Sequence, residues 1–144
     1  MQVQQILKLK SDDSVVTVPP GTKIWEACAI LAKKGIGTVV VSQDGKRADG
    51  ILSERDVVRA VSNRGGACLT HGVEMYMTSK LVTCTRQDNA DTVLQKMTEG
   101  RFRHMPVVEE GLMVGLITQG DVVKARLSEL AMEKDALEGM IMGH

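Results

Sequence analysis

Two short stretches of the sequence place a hydroxyl residue three positions before an aspartate. They are Ser53-x-x-Asp56 and Thr118-x-x-Asp121, each at the end of a short apolar run. One interpretation is a capping box, in which the two side chains satisfy amides at the start of a helix. The other is a ligand site, in which the carboxylate accepts hydrogen bonds while the hydroxyl and the helix amides face an anion. The spacing alone leaves both interpretations open.

A second group of candidate residues is basic. Arg101, Arg103 and His104 precede the apolar run 105–108. If that run is a strand, neighbouring side chains point to opposite faces, so Arg103 or His104 is expected to meet a cleft. An arginine can hold a phosphate through two parallel hydrogen bonds, and a histidine adds a titratable donor. The alternative is that all three are solvated loop charges.

The elements that would position these residues occur twice. Residues 50–58 match residues 115–123, and an earlier set matches as well: Ile24, Ala27, Cys28 and Leu31 in the first copy, Ala90, Val93, Leu94 and Met97 in the second. Their i, i+3, i+4, i+7 spacing predicts an amphipathic helix in each copy. The β-branched runs 38–41 and 105–108 predict buried strands. A turn, a second strand and a second helix follow in both copies.

Each copy therefore has the order β-α-β-β-α, with opening strands expected at residues 15–18 and 81–84. A repeat this small cannot cover its own sheet, so the two are expected to pack about a pseudo-twofold axis around a joint core. The predicted fold class is α/β (α+β). Residues 5–64 form repeat 1, 65–76 a flexible surface connector, 77–126 repeat 2 and 127–144 a C-terminal dimerisation helix. This arrangement creates two equivalent clefts.

The composition argues against several kinds of partner. Lys and Arg total 18, as do Asp and Glu, and the aromatic residues are limited to Trp25, Tyr76 and Phe102, so neither nucleic acid nor a membrane is expected to bind. No apolar stretch has the length of a signal peptide or membrane span, which favours the cytoplasm. Three separated cysteines argue against disulfides and zinc. Cys68 and His71 would need two further ligands, so no metal is expected.

The ordered motifs resemble a pair of cystathionine-β-synthase-type (CBS) domains, a Bateman module, over about residues 5 to 125. The residues that carry the resemblance are Val18-Pro19-Pro20-Gly21-Thr22, Ile36-Gly37-Thr38-Val39, Gly50-Ile51-Leu52-Ser53-Glu54-Arg55-Asp56 and Arg103-His104-Met105-Pro106. The resemblance implies that an adenosine compound (AMP, ADP, ATP, S-adenosylmethionine or NAD(H)) binds between the repeats. It also implies that each aspartate binds ribose hydroxyls and that the basic residues contact phosphate.

The family pattern assigns residues from both repeats to each cleft. Cleft A is expected to contain Thr118 and Asp121 together with Val16, Ile36, Gly37, Thr38, Arg103 and His104. Cleft B is expected to contain Ser53, Asp56, Val82 and Phe102, and the same pattern also brings residues 102–104 towards it. Phe102 is expected either to stack on a base or to fill the core. Because Gly37 and Thr38, the counterparts of Arg103 and His104, are uncharged, cleft A is expected to bind a phosphorylated ligand more tightly.

The C-terminal residues follow a heptad-like pattern. Its positions are Val123, Leu127, Leu130, Lys134, Leu137 and Ile141. Such a stripe indicates a helix with one apolar face. The helix could fold back on its own repeat, but its length favours a partner subunit and therefore a homodimer.

The predicted function is a nucleotide sensor that regulates an unknown protein. AMP is the first choice of ligand, with ATP, ADP or NAD(H) next. The alternative is a protein-interaction regulatory subunit with no physiological small ligand. An enzyme is disfavoured, because no histidine is placed beside Cys28 or Cys84 by any local signature, and no catalytic residue is assigned.

Overall fold

The computed structural model describes residues 1–10 and 14–142 and contains two similar repeats. Repeat 1 comprises β1 (Thr17–Val18), α2 (Ile24–Lys34), β2 (Thr38–Val41), β3 (Gly50–Ser53) and α3 (Glu54–Arg64). Repeat 2 comprises α4 (Ala90–Gly100), β4 (His104–Glu109), β5 (Leu112–Thr118) and α5 (Gln119–Ile141), and α1 (Val3–Leu9) precedes both repeats. The mixed α/β fold class and the duplicated arrangement are confirmed.

The strands form two sheets. In repeat 1, β1 pairs in parallel with β2, and β2 pairs antiparallel with β3. In repeat 2, β4 and β5 form an antiparallel hairpin with a register shift after Val107. The amphipathic helices cover these sheets in the predicted way: Ile24, Ala27 and Leu31 of α2 are buried, as are Ala90, Val93 and Met97 of α4.

The prediction of an opening strand at residues 81–84 of repeat 2 is wrong. Within residues 81–84 the structure has a single bridging residue, Cys84, which pairs in parallel with Val107. In repeat 1 the amide of Val40 donates to the carbonyl of Val16. The corresponding donor in repeat 2 would be Pro106, which has no amide hydrogen. The parallel ladder therefore does not extend from Cys84 towards the cleft.

Each repeat has its own buried cluster, and α1 belongs to the second one. Val3 and Ile6 of α1 are fully or almost fully buried among Met97, Met105 and Ile117 of repeat 2. The chain thus starts on repeat 2, continues through repeat 1 and returns to repeat 2. This route brings Lys10, at the end of α1, close to α5.

The connector at residues 65–76 was predicted to be a flexible surface loop, and the structure shows an ordered segment instead. It contains two 3-10 helices, Gly65–Thr70 and Val73–Met75, and both Cys68 and Val73 are fully buried. The His71 carbonyl accepts a hydrogen bond from the Ile24 amide, and the Val73 amide donates to the Thr22 carbonyl. These bonds fix the connector to the start of α2.

The helix α5 is continuous, but its two halves differ in burial. Val122 and Ala125 pack into repeat 2. Beyond Arg126 the apolar residues are exposed: Leu127, Leu130, Met132, Leu137, Met140 and Ile141. Nothing within the described part of the chain covers this half of the helix.

Candidate functional site

A cavity of about 550 Å³ lies between the two repeats. Repeat 1 contributes Gly37, Ile51, residues 53–56 and Arg59, and repeat 2 contributes Thr78, residues 80–82 and residues 100–104. All residues assigned to cleft B, Ser53, Asp56, Val82 and Phe102, line this cavity. Its volume falls in the range of cofactor and small-molecule sites.

Both hydroxyl–aspartate pairs form capping boxes. In α3 the Asp56 amide donates to Ser53 Oγ over 3.2 Å, and Asp56 Oδ2 accepts from the Ser53 amide over 2.9 Å. In α5 the same two bonds join Thr118 and Asp121 over 3.0 and 2.9 Å. Since a carboxylate has lone pairs on both oxygens, Asp56 Oδ1 can still accept hydrogen bonds from a ligand. The capping and ligand-binding interpretations are therefore compatible.

The helix amides offer less to an anion than the sequence suggested. The Glu54 amide donates to the carbonyl of Gly37 over 2.9 Å, and its counterpart, the Gln119 amide, donates to the carbonyl of Arg103 over 2.8 Å. The Asp56 amide is already bonded to Ser53 Oγ. Two first-turn amides of α3 are thus used within the chain, so an anion in cleft B would have to be held mainly by side chains.

Those side chains are strongly cationic. Five permanent cations line cleft B: Arg55, Arg59, Lys80, Arg101 and Arg103. Only two acids, Glu54 and Asp56, accompany them in this lining. By the repeat correspondence, the residues equivalent to these five cations are Gly120, Lys124, Ser14, Gly35 and Gly37, of which only Lys124 is charged. The positive field is therefore concentrated on cleft B, and an anionic ligand is attracted there.

Arg103 and His104 were expected in cleft A, while the family pattern also brought residues 102–104 towards cleft B. Both residues line the cavity that contains Ser53 and Asp56. The turn between α4 and β4 of repeat 2 thus lines the same cavity as the start of α3 in repeat 1. The expected preference of cleft A for a phosphorylated ligand consequently has no support from these two residues.

His104 lies at the centre of the repeat boundary. Its Nδ1 is 3.1 Å from Oγ1 of Thr38, which is its own counterpart in repeat 1. Burial, reinforced by the Lys10 and Arg103 cations and opposed by Asp121, lowers the pKa of His104. The imidazole is therefore neutral at pH 7, and it serves as a polar contact between the repeats rather than as a sixth cation.

The residues assigned to cleft A are only partly brought together. Asp121 Oδ2 forms an ion pair with Lys10 Nζ over 2.9 Å. Val16 and Ile36 are half-buried and pack against the core of repeat 1, and Thr38 is buried against His104. Gly37 lines cleft B.

Sequence reasoning missed several residues of cleft B. These are Glu54, Arg55, Arg59, Lys80 and, as a member of the cleft, Arg101. A usable signal was present: Arg55 and Arg59 follow Ser53 within the first two turns of α3, whereas the second repeat has Gly120 and Lys124 there. Comparing charge between the two copies position by position would have indicated the more basic cleft.

The described residues, 1–10 and 14–142, contain no cluster of three or more His, Cys, Asp or Glu side chains that could hold a metal ion. Within the same residues, no helix combines the length and apolar character that a membrane span requires.

The fold and cleft B together define a tandem-repeat module with an inter-repeat site suited to an anionic ligand. The sequence profile of the CBS domain matches residues 5–63 and 73–128. The chain therefore belongs to the CBS-domain family, and the resemblance noted in the sequence is confirmed.

Solved structures agree with this assignment. The CBS-domain containing protein ATU1752 from Agrobacterium tumefaciens is 42% identical, with a TM-score of 0.83 over 88% of this chain and 99% of that one. The CBS domain protein PAE2072 from Pyrobaculum aerophilum, solved in complex with AMP, is 28% identical, with a TM-score of 0.76 over 92% of this chain and 99% of that one.

Among curated relatives, the mitochondrial CBS domain-containing protein CBSX3 of Arabidopsis thaliana is 29% identical. The match covers 98% of this chain and 72% of that protein. Against several longer Arabidopsis relatives, the chain spans only 22 to 23% of their length.

Proposed function

We propose that this CBS-domain pair is a regulatory module that binds an adenine nucleotide in cleft B. The observation that carries the proposal is the set of five cations beside the Ser53–Asp56 pair. Asp56 Oδ1 can accept ribose hydroxyls, while Arg101 and Arg103 lie on the repeat 2 side of the same cavity, where a phosphate would sit. The purine would lie against the smaller side chains at Gly37 and Val82.

The similarity to PAE2072, which was solved with AMP, supports an adenine ligand. AMP is the first candidate, and ADP, ATP and NAD(H) follow because the charge of cleft B suits further phosphates. The ligand acts as a signal and is not converted. Burial raises the pKa of Cys84 to about 12 and also raises the pKa of Cys28, so neither thiol is an activated nucleophile. We place the protein in the cytoplasm, where its free thiols at Cys28, Cys68 and Cys84 would stay reduced.

A panel of nucleotides in a thermal-unfolding assay tests this proposal. At 100 times its dissociation constant, a ligand that binds only the folded state adds about 2.7 kcal/mol, a shift of roughly 5 to 10 °C for a chain of this size. We expect AMP, ADP and ATP to raise the unfolding temperature and adenosine to do so less. If no adenosine compound shifts the transition, nucleotide binding is wrong and the protein-interaction alternative gains support.

We also propose that the protein forms a homodimer, and the exposed half of α5 supports this. Leu127, Leu130 and Leu137 are 62%, 48% and 59% exposed in the single chain and share one helix face. Burying aliphatic side chains contributes about 1.5 to 3 kcal/mol each, which provides a driving force for association. The same surface could instead bind the regulated protein.

A chain ending at Arg126 should therefore lose dimer stability and keep its nucleotide site, since all residues of cleft B precede that point. Sedimentation equilibrium of the full-length and shortened chains measures the first property, and AMP titration measures the second. A full-length monomer would reject the homodimer. An unchanged dimer after shortening would indicate that the interface lies on the helices of the two repeats instead.

A further inference from the structure

Lys10 forms an ion pair with Asp121, the aspartate of cleft A. Its ammonium is 2.9 Å from Asp121 Oδ2 and donates to the carbonyl of Leu116 over 2.9 Å. Both side chains are mostly buried, with 20% and 22% of their surface exposed. Lys10 also follows directly after α1, whose Val3 and Ile6 are buried in repeat 2. The ion pair is therefore held in place by packing as well as by charge.

Among residues 1–10 and 14–142, none makes a comparable contact in cleft B. The aspartate of cleft B is Asp56, and its Oδ1 is 4.0 Å from a guanidinium nitrogen of Arg59. The Arg59 side chain is 73% exposed. Such an exposed pair contributes little and is easily displaced. The carbonyl of Ile51, which corresponds to Leu116, accepts a backbone hydrogen bond from Thr78 instead of a lysine. The lysine contact is thus specific to one of the two equivalent clefts.

The electrostatics of Asp121 agree with a stable contact. Burial by itself would raise the pKa of the Asp121 carboxyl, but the Thr118 amide and the Lys10 ammonium outweigh burial and lower it. A ribose hydroxyl is a neutral donor, and a charged donor forms the stronger hydrogen bond with a carboxylate. A ligand entering cleft A must therefore share the Asp121 carboxylate with the Lys10 ammonium, and its ribose hydroxyls gain less there than on Asp56, whose nearest cation is 4.0 Å away.

We infer that Lys10 is an intrachain competitor of the ligand in cleft A and thereby restricts nucleotide binding to cleft B. This inference rests on the proposed function and goes beyond it, because it specifies which of two related clefts is open and which side chain decides this. Of the five cations in cleft B, only Arg59 has a charged counterpart, Lys124, so cleft A offers an anionic ligand less attraction to offset the effect of Lys10.

Titration calorimetry with AMP on variants that lack the aspartate of cleft B tests the inference. Asp56→Ala should bind AMP about 10- to 100-fold more weakly than the wild type, whereas Lys10→Met in the same background should bind one AMP per chain with regained affinity. A gain of about 10- to 100-fold in affinity is expected, which corresponds to freeing a charged hydrogen-bond acceptor. Adding Asp121→Ala should remove this binding again. Lys8→Met, on the exposed surface of α1, is the matched control and should restore none.

Lys10→Gln keeps a donor for Leu116 without the charge and should act like Lys10→Met if the methionine variant folds poorly. Failure of either folded variant to bind AMP in the Asp56→Ala background would overturn the inference. Weaker AMP binding after removal of Lys10 from the otherwise wild-type chain would also overturn it, because Lys10 would then assist the ligand. If the wild-type chain itself binds no AMP, the proposed function fails first.

Discussion

Replacing Asp56 with alanine should weaken AMP binding by about 10- to 100-fold. The variant loses the carboxylate proposed to accept the ribose hydroxyls, and hydrogen bonds to charged groups contribute about 1.5 to 3 kcal/mol. Asp56 also accepts the Ser53 amide within the capping box, so some loss of stability is expected as well. Calorimetric titration of AMP, together with thermal unfolding, separates the two effects.

Asp121→Ala is the matched control for this variant. It removes the same capping-box bond from α5 over the same 2.9 Å distance, but its carboxylate lies outside cleft B. Because Asp121→Ala also removes the ion pair with Lys10, we expect it to lose at least as much stability as Asp56→Ala, and we expect a loss of AMP affinity only from Asp56→Ala. Equal affinities in the two variants would mean that the Ser53–Asp56 pair only caps α3.

The second large effect is expected from the two arginines after α4. Replacing Arg101 with glycine and Arg103 with alanine should reduce ATP affinity by about 10- to 100-fold or more, since charge-assisted bonds to phosphate are lost. Adenosine, which has no phosphate, should be affected less than about threefold. The ATP affinity of the wild type should also fall more steeply with salt than that of the variant. Titrations with both ligands at two salt concentrations measure these differences.

The choice of glycine at position 101 makes this test selective. Arg101 adopts a left-handed conformation with φ of 56°, where repeat 1 has Gly35 with φ of 63°. A residue with a Cβ is destabilised by roughly 1 kcal/mol in the left-handed conformation, whereas glycine is not. Arg101→Gly should therefore bind phosphate less well without unfolding at a lower temperature. Arg86→Ala, outside the cavity, should leave affinity unchanged. Loss of adenosine and ATP binding in equal proportion would reject the phosphate role.

Much of the fold could be predicted from the sequence because local patterns determine it. The spacing of Ile24, Ala27 and Leu31 is repeated in α4, and the burial of both sets follows directly from it. The opening strand of repeat 2 was predicted as part of the repeated β-α-β-β-α order. It fails to form as a strand because Pro106, in a different part of the chain, cannot donate the required hydrogen bond. Propensity within residues 81–84 contains no information about that partner.

The site was less predictable because it depends on contacts between distant residues. Alternation along β4 indicates that Arg103 and His104 face different ways, but it does not identify which repeat lies opposite each face. Lys10 and Asp121 are separated by most of the chain, and only the packing of α1 on repeat 2 brings them together. The hydroxyl–aspartate spacing was visible in both copies. The difference in charge between the copies was also visible in the sequence, but which side chains share a cleft required the tertiary structure.

The most direct test of nucleotide binding in cleft B is diffraction from crystals of the full-length protein grown with AMP. We expect one AMP per chain between the repeats, with its ribose hydroxyls on Asp56 and its phosphate within hydrogen-bond distance of Arg101 or Arg103. Cleft A should retain the contact between Lys10 and Asp121. AMP bound only beside Thr118 and Asp121, or only outside both clefts, would contradict the account.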